Sequence, residues 1–171
     1  MMKRIGKSIR SCIFLLMLFV IIPATGVLAD GWEKIDDSSW CSNERWSFFD
    51  DTACEVRELN IPRAWKKISV DANPNGGIKV EGWDKDSIRV QARVQANAGS
   101  KKKAEDLISE IDIETGGNKI HARGPNHFEF GSKKSWSVSY RLMVPVKTNL
   151  KLTAMNGGIS IHDVNPVGFK R

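Results

Sequence analysis

Side chains that carry out reactions are scarce in this chain. Its 171 residues include three cysteines and three histidines, and no serine stands in the G-x-S-x-G elbow of a hydrolase nucleophile. His121 and His127 straddle a Gly-Pro loop and His162 lies far downstream. A metal site needs converging ligands and a supporting second shell, so the three read as surface or strand-end side chains. The acids come as Asp36-Asp37, Asp50-Asp51 and Asp84 with Asp86. Glycosidase-type work needs two carboxylates held across a cleft, and "DKD" at 84–86 has neither the glycine nor the terminal glutamate of a calcium loop. No catalytic residue, metal site or cofactor is expected, and the chain is not expected to be an enzyme.

Long hydrophobic runs are also lacking, with one exception. "IFLLMLFVII" (13–22) follows a basic head of Lys3, Arg4, Lys7 and Arg10, and Pro23 ends it. "VLA" (27–29) then presents small residues at the positions a signal peptidase reads. This is the pattern of a secretory leader cut after Ala29. An uncleaved anchor is the alternative, but the apolar core is short for a span of about 20 residues. Cys12 lies too early for a lipid-anchored cysteine.

The excess of positive charge largely belongs to that leader. The chain carries 26 Lys+Arg against 20 Asp+Glu, and four of the basic residues but none of the acids fall in 1–29, which leaves 22 against 20. A basic balance that leaves with the leader implies no nucleic-acid partner, and membrane association is expected only through the leader before cleavage. The 142 residues that remain are enough for one domain with a sizeable core. Their two cysteines, Cys41 and Cys54, form an even pair suited to an oxidising compartment. A bridge would close "CSNERWSFFDDTAC" and contribute about 3 kcal/mol for a loop of about 15 residues. Free thiols or zinc are the alternatives, and two cysteines with no nearby histidine make a poor zinc site.

What is abundant is alternation. Residues 30–54 show no period of 2 or 3.6, and Trp32, Trp40, Trp46, Phe48 and Phe49 stand there among acids and serines. The segment reads as an aromatic, disulfide-stapled loop. From Glu55 the pattern is that of strands, and 55–171 reads as one β domain. Ile88, Val90, Ala92, Val94 and Ala96 face one way, and Arg89, Gln91, Arg93 and Gln95 the other: a strand with one wet face. Trp136, Val138, Tyr140, Leu142 and Val144 repeat the device. A single helix is predicted after Ser100, with Ala104, Leu107, Ile108 and Ile111 on one stripe. "IDIETGGNKIHARG" (111–124) reads as a hairpin. The strands look mostly antiparallel.

"NGGIKV" (75–80) returns as "NGGISI" (156–161). Asn75-Gly76 and Asn156-Gly157 tolerate positive φ and predict tight turns, with Gly77 and Gly158 letting the chain turn closely before the next strand. Ile78 and Val80, like Ile159 and Ile161, are then expected in a core. One such unit cannot bury its own apolar face and needs a neighbour to stack on. No helix start or lysine follows at P-loop spacing. The fold expected is mainly β, solenoid-like or two-layered, with NG-turn repeats and one packed helix.

The order of these features resembles a family of exported bacterial adhesin-like domains built of β-strand repeats. The resemblance covers about 41–164: the cysteine pair before "EVRE", the "NGGIKVEGW" turn and strand, the helix, "YRLMVP", and the second "NGGI". It implies a non-enzymatic cell-envelope scaffold or interaction protein, periplasmic, envelope-bound or secreted, whose partner is a protein or glycan of the envelope. Such domains continue into several stacked repeats. Here Asn165-Pro166 and "VGFKR" depart from the pattern, so the C-terminal repeats read as incomplete, leaving an open sheet edge prone to self-association. A rival reading assigns Trp40 and Trp46 to stacking on sugar rings in a carbohydrate- or peptidoglycan-binding module. Against it, large amphipathic rings commonly plug the end of a β core.

Overall fold

The computed structural model describes residues 31–42, 51–62, 65–126 and 134–165. The leader with Ala29, the aromatics Trp46, Phe48 and Phe49, and His127 lie outside the described residues. In chain order the elements are β1 (Glu33–Ile35), α1 (Ser38–Cys41), β2 (Asp51–Ile61), β3 (Lys67–Asp71), β4 (Ile78–Trp83) and β5 (Ile88–Ala98). They continue with α2 (Lys101–Ser109), β6 (Asp112–Gly116), β7 (Lys119–Arg123), β8 (Ser135–Pro145), β9 (Asn149–Thr153) and β10 (Ile159–His162). The fold is mainly β. A six-stranded sheet ordered β1-β2-β5-β8-β4-β10 and a four-stranded sheet ordered β6-β7-β3-β9 share one hydrophobic core.

The alternating segments behave as their pattern dictates. Ile88, Val90, Ala92, Val94 and Ala96 of β5 and Trp136, Val138, Tyr140, Leu142 and Val144 of β8 are all buried, and their partners on each strand point outward. Ser100 caps α2, its hydroxyl accepting from Lys103 N at 3.4 Å. The helix buries Ala104, Leu107 and Ile108, and Ile111 follows them into the core. The β6–β7 hairpin turns at Gly117 and Asn118, both with positive φ (57° and 66°), the conformation that favours these two residue types.

Four expectations need correction. Antiparallel pairing describes only half of the strand pairs among the described residues: β1–β2, β2–β5, β5–β8 and β6–β7 are antiparallel, but β4 pairs in parallel with β8 and β10, and β3 with β7 and β9. Three two-strand units, β7 with β8, β3 with β4 and β9 with β10, therefore stack in that order, the first in sequence lying in the middle. Alternation marks a strand but carries no information about which neighbour it meets. Residues 30–54 are not one loop either. They supply β1, the four-residue α1 (a second helix) and the start of β2, and Trp32 is buried in the common core, its indole N–H donating to Ile113 O at 3.1 Å.

The NGG turns also work differently from the expectation. No residue of either turn has a positive φ. What glycine supplies is close approach. A Cβ on Gly76 would overlap Val138 O of the unit below, and one on Gly157 would overlap Gly76 O. The first glycine of each turn is thus the contact point between units. Asn156 Nδ2 donates to Asn75 Oδ1 at 3.0 Å and to Pro74 O at 3.1 Å, a short asparagine ladder up the stack. Finally, Ile78 and Val80 are buried, 2% and 0% exposed, whereas Ile159 and Ile161 stand 44% and 49% exposed on the inward side of the last unit.

β2 hides a charged pair on its core side. In register with Ala92 of β5, Arg57 is buried; it donates to Ile111 O at 2.6 Å and Ile108 O at 3.1 Å and pairs with Glu55 at 2.7 Å. It thereby satisfies carbonyls at the C-terminal end of α2, where a cation is favoured by the helix dipole. Burial pushes the Glu55 carboxyl up, but hydrogen bonds from Lys34 and Arg57 outweigh it and hold the group below the ordinary carboxylate range.

Candidate functional site

The outward residues of the middle strands are determined by register. Arg93 of β5 sits opposite Ser139 of β8, Arg141 of β8 opposite Lys79 of β4, and Lys79 opposite Ser160 of β10. The outward face of the six-stranded sheet thus presents three cations and two hydroxyls in two adjacent rows, Arg93 with Ser139 in one and Arg141, Lys79 and Ser160 in the next. The short helix α1 lies over this face. Cys41 is joined to Cys54, Cα–Cα 5.7 Å, which fastens α1 to β2. Asp37 caps α1, its carboxylate accepting from Ser39 Oγ at 2.6 Å and from Trp40 N at 3.3 Å.

Trp40 is half-buried beside these rows. The Arg141 guanidinium lies 3.8 Å from the Trp40 ring centre and that of Arg93 5.6 Å away, while Arg93 Nη1 donates to Trp40 O at 3.2 Å. Such cation–π pairs contribute roughly 0.5–2 kcal/mol each, depending on exposure. Asp37 stands 3.6 Å from Arg141, and the Ser39 hydroxyl, ahead of a small opposing burial effect, Trp40 N–H and Arg141, holds its carboxyl below the usual value. Between α1 and the strands lies an open groove of about 520 Å³ lined by Trp40, Lys79, Arg93, Ser139, Arg141 and Ser160, among others. Among the described residues Asp37 stands beside Arg141 and Glu81 lies 4.0 Å from Lys79; the groove sets basic side chains next to an aromatic wall, which suits an acidic or hydroxyl-rich ligand.

Beneath the groove, Tyr140 is buried, and its phenol has no hydrogen-bond partner among the described residues. Burial, with Asp71 adding to it, pushes its pKa far up, so it stays neutral. A larger hollow of about 750 Å³ between α2 and β2 is lined by Lys34, Glu55, Arg57, Lys101, Glu105 and Asp112, among others. Of these, Lys34, Glu55 and Arg57 pair with each other, as described above.

Of the residues singled out in the sequence, Trp40 lines this groove, the Cys41–Cys54 bridge fastens the helix that carries it, and Trp46 lies outside the described residues. Gly77 and Gly158 line its floor beside Ser139, whose hydroxyl accepts from Gly77 N at 3.2 Å. Asn75, Gly76, Asn156 and Gly157 build the joint between units. His121 pairs with Glu114 at 3.2 Å on the four-stranded sheet, and His162 is on β10 of the other. Among the described residues no three His, Cys, Asp or Glu side chains converge on a point. Trp83 is partly buried, with Lys85 4.8 Å and Arg89 5.7 Å from its ring; Trp136 is buried.

Arg93, Arg141 and Lys79 were not marked by the sequence reading, because each stands at a polar position of an alternating strand and reads as ordinary wet face. Their signal is positional: the arginines at 93 and 141, on the two longest alternating runs, become diagonal neighbours once the strands pair, Arg93 opposite Ser139 and Arg141 opposite Gln91. No helix among the described residues is long and apolar enough to cross a membrane. No family model, curated protein or solved structure matches the chain.

Proposed function

We propose that this chain is an exported, non-enzymatic, adhesin-like scaffold of the cell envelope that works by presenting its sheet surface to a partner. The observation that carries the reading is the groove on the six-stranded sheet, where Lys79, Arg93 and Arg141 cluster beside Trp40. Nucleophile–base pairs are not needed for what such a surface does: it holds charge and an aromatic face in a fixed arrangement. Export is supported by the leader-like segment 1–29 and by the Cys41–Cys54 bridge, which belongs in an oxidising compartment. The partner chemistry that fits is acidic, a carboxylate- or phosphate-bearing envelope polymer or an acidic protein surface.

The test is retention on envelope preparations at rising salt. The chain with its disulfide intact should bind, release at high ionic strength, and lose at least ten-fold in affinity when Arg93 and Arg141 are both changed to glutamine. Retention that ignores salt and both arginines, or turnover of a hydrolase substrate, would overturn the proposal.

A second reading, a neutral-sugar module using Trp40, has the aromatic wall in its favour. The Arg141 guanidinium over the Trp40 ring counts against it, since it takes up a stacking face. That reading requires Trp40→Ala to abolish glycan binding while Arg141→Gln leaves it intact or improves it.

A further inference from the structure

We infer that the free side of the β9–β10 unit is the joint of a tail-to-tail homodimer, in which two copies pair these edges antiparallel about a two-fold axis. The inference is independent of what the groove binds. Both sheets finish on the same unit, one with β10 and the other with β9. The apolar side chains of that unit still point between the sheets, so Ile159 and Ile161 continue the rows Tyr140–Ile78 and Leu142–Val80 with nothing beyond them among the described residues. Met155, in the turn, is 70% exposed.

The other side of this unit shows what such a surface accepts. There it docks on β3–β4 through Ala72 N to Thr153 O at 2.9 Å, Ile78 N to Gly158 O at 2.9 Å and the Asn75–Asn156 pair. The free side offers the same backbone spacing and the same apolar row, so its natural occupant is another strand–turn–strand unit. In a second copy one described unit is available, β9–β10 itself, because the other two are already paired on both sides.

The far edges argue for closure rather than chain growth. β1 is three residues long and carries Glu33 and Lys34, and β6 carries Asp112 and Glu114, the devices that keep an edge from pairing. β10 reads "ISIH" and β9 "NLKLT", with one lysine between them. Like edges therefore meet like, which gives an isologous, closed contact. Charge does not oppose it: over 149–165 Lys151 is balanced by Asp163.

The experiment is sedimentation of the full chain, expressed through an exporting host and purified with its disulfide, from about 1 µM to several hundred µM, across the range of ordinary dimer affinities. A reversible monomer–dimer equilibrium with no larger species is expected. Ile159→Lys with Ile161→Lys should weaken it at least 30-fold, and Met155→Glu, at a site too exposed to threaten folding, at least three-fold, with the far-UV spectrum unchanged. A monomer at every concentration, growth into open-ended species, or a dimer indifferent to Met155→Glu and the lysine pair overturns the inference. Met155 lies outside the groove lining, so Met155→Glu keeps this test apart from the envelope-binding one, which reads Arg93 and Arg141, whereas Ile159 borders the groove.

Discussion

At one end of the molecule the sheets finish in β1 and β6, and at the other in β10 and β9. The first end is closed. Trp32 plugs the core, α2 lies against β2 and β5, Arg57 ties its last carbonyls to the sheet, and the edge strands are short or charged. The second end has the same backbone geometry and inward-facing isoleucines, but nothing over them among the described residues. The difference teaches that stacking and finishing are separate problems. Parallel units joined by NGG turns stack by one repeated rule; ending a stack takes a helix, a buried tryptophan and a buried arginine.

The sharpest way to break the comparison is at the joints. Gly76→Ala sets a Cβ against Val138 O within the stack, where both sides are covered, and should cost about 4 kcal/mol or abolish cooperative folding. Gly157→Ala makes the equivalent overlap with Gly76 O, but the last unit is free to lift away, so a loss of about 1–2 kcal/mol is expected. Urea titration of both variants checks the ordering. Next is the closed end. Arg57→Met leaves Glu55 and the α2 carbonyls short of a donor and should cost about 3 kcal/mol, read as a lower urea midpoint.

Replacing Cys41 and Cys54 with serine should cost about 2–3 kcal/mol by freeing α1 from β2. It should also cut envelope retention, because Trp40 travels with α1. The smallest effect is with pH. Glu55 has a folded pKa below its unfolded value of about 4.3, so the stability it adds is complete above that value and is lost as pH falls through the folded pKa. Thermal melts should therefore hold level from neutrality to about pH 5 and fall below it, and Glu55→Gln should flatten that acid decline.

Much of this was legible in the residues. Strict alternation over 88–96 and 136–144 located the core faces of β5 and β8, Ser100 with its apolar stripe located α2, and Gly117-Asn118 located the hairpin. The repeated NGG pointed to stacked units, though for the wrong backbone reason: glycine is needed for contact with the unit next door, which no local signal encodes. β2 was harder to read because both its faces are covered, by α2 on one side and by α1 on the other, so Arg57 and Val56 are both buried and the alternation is lost. The candidate site was half visible. Trp40 and its cysteine stood out by composition, while Arg93, Arg141 and Lys79 come together only through register between strands up to 62 residues apart.

The central claim, that one joint rule builds the stack and the last unit is held on one side alone, is tested most directly by hydrogen exchange at two amides. Tyr140 N donates to Gly77 O and Ile78 N to Gly158 O, each at 2.9 Å, one bond inside the stack and one at its end. In dilute protein the Ile78 amide should exchange at least ~100-fold faster than that of Tyr140, through opening of β9–β10 alone, and should slow as concentration rises. Equal protection of the two amides in the dilute sample would contradict the account.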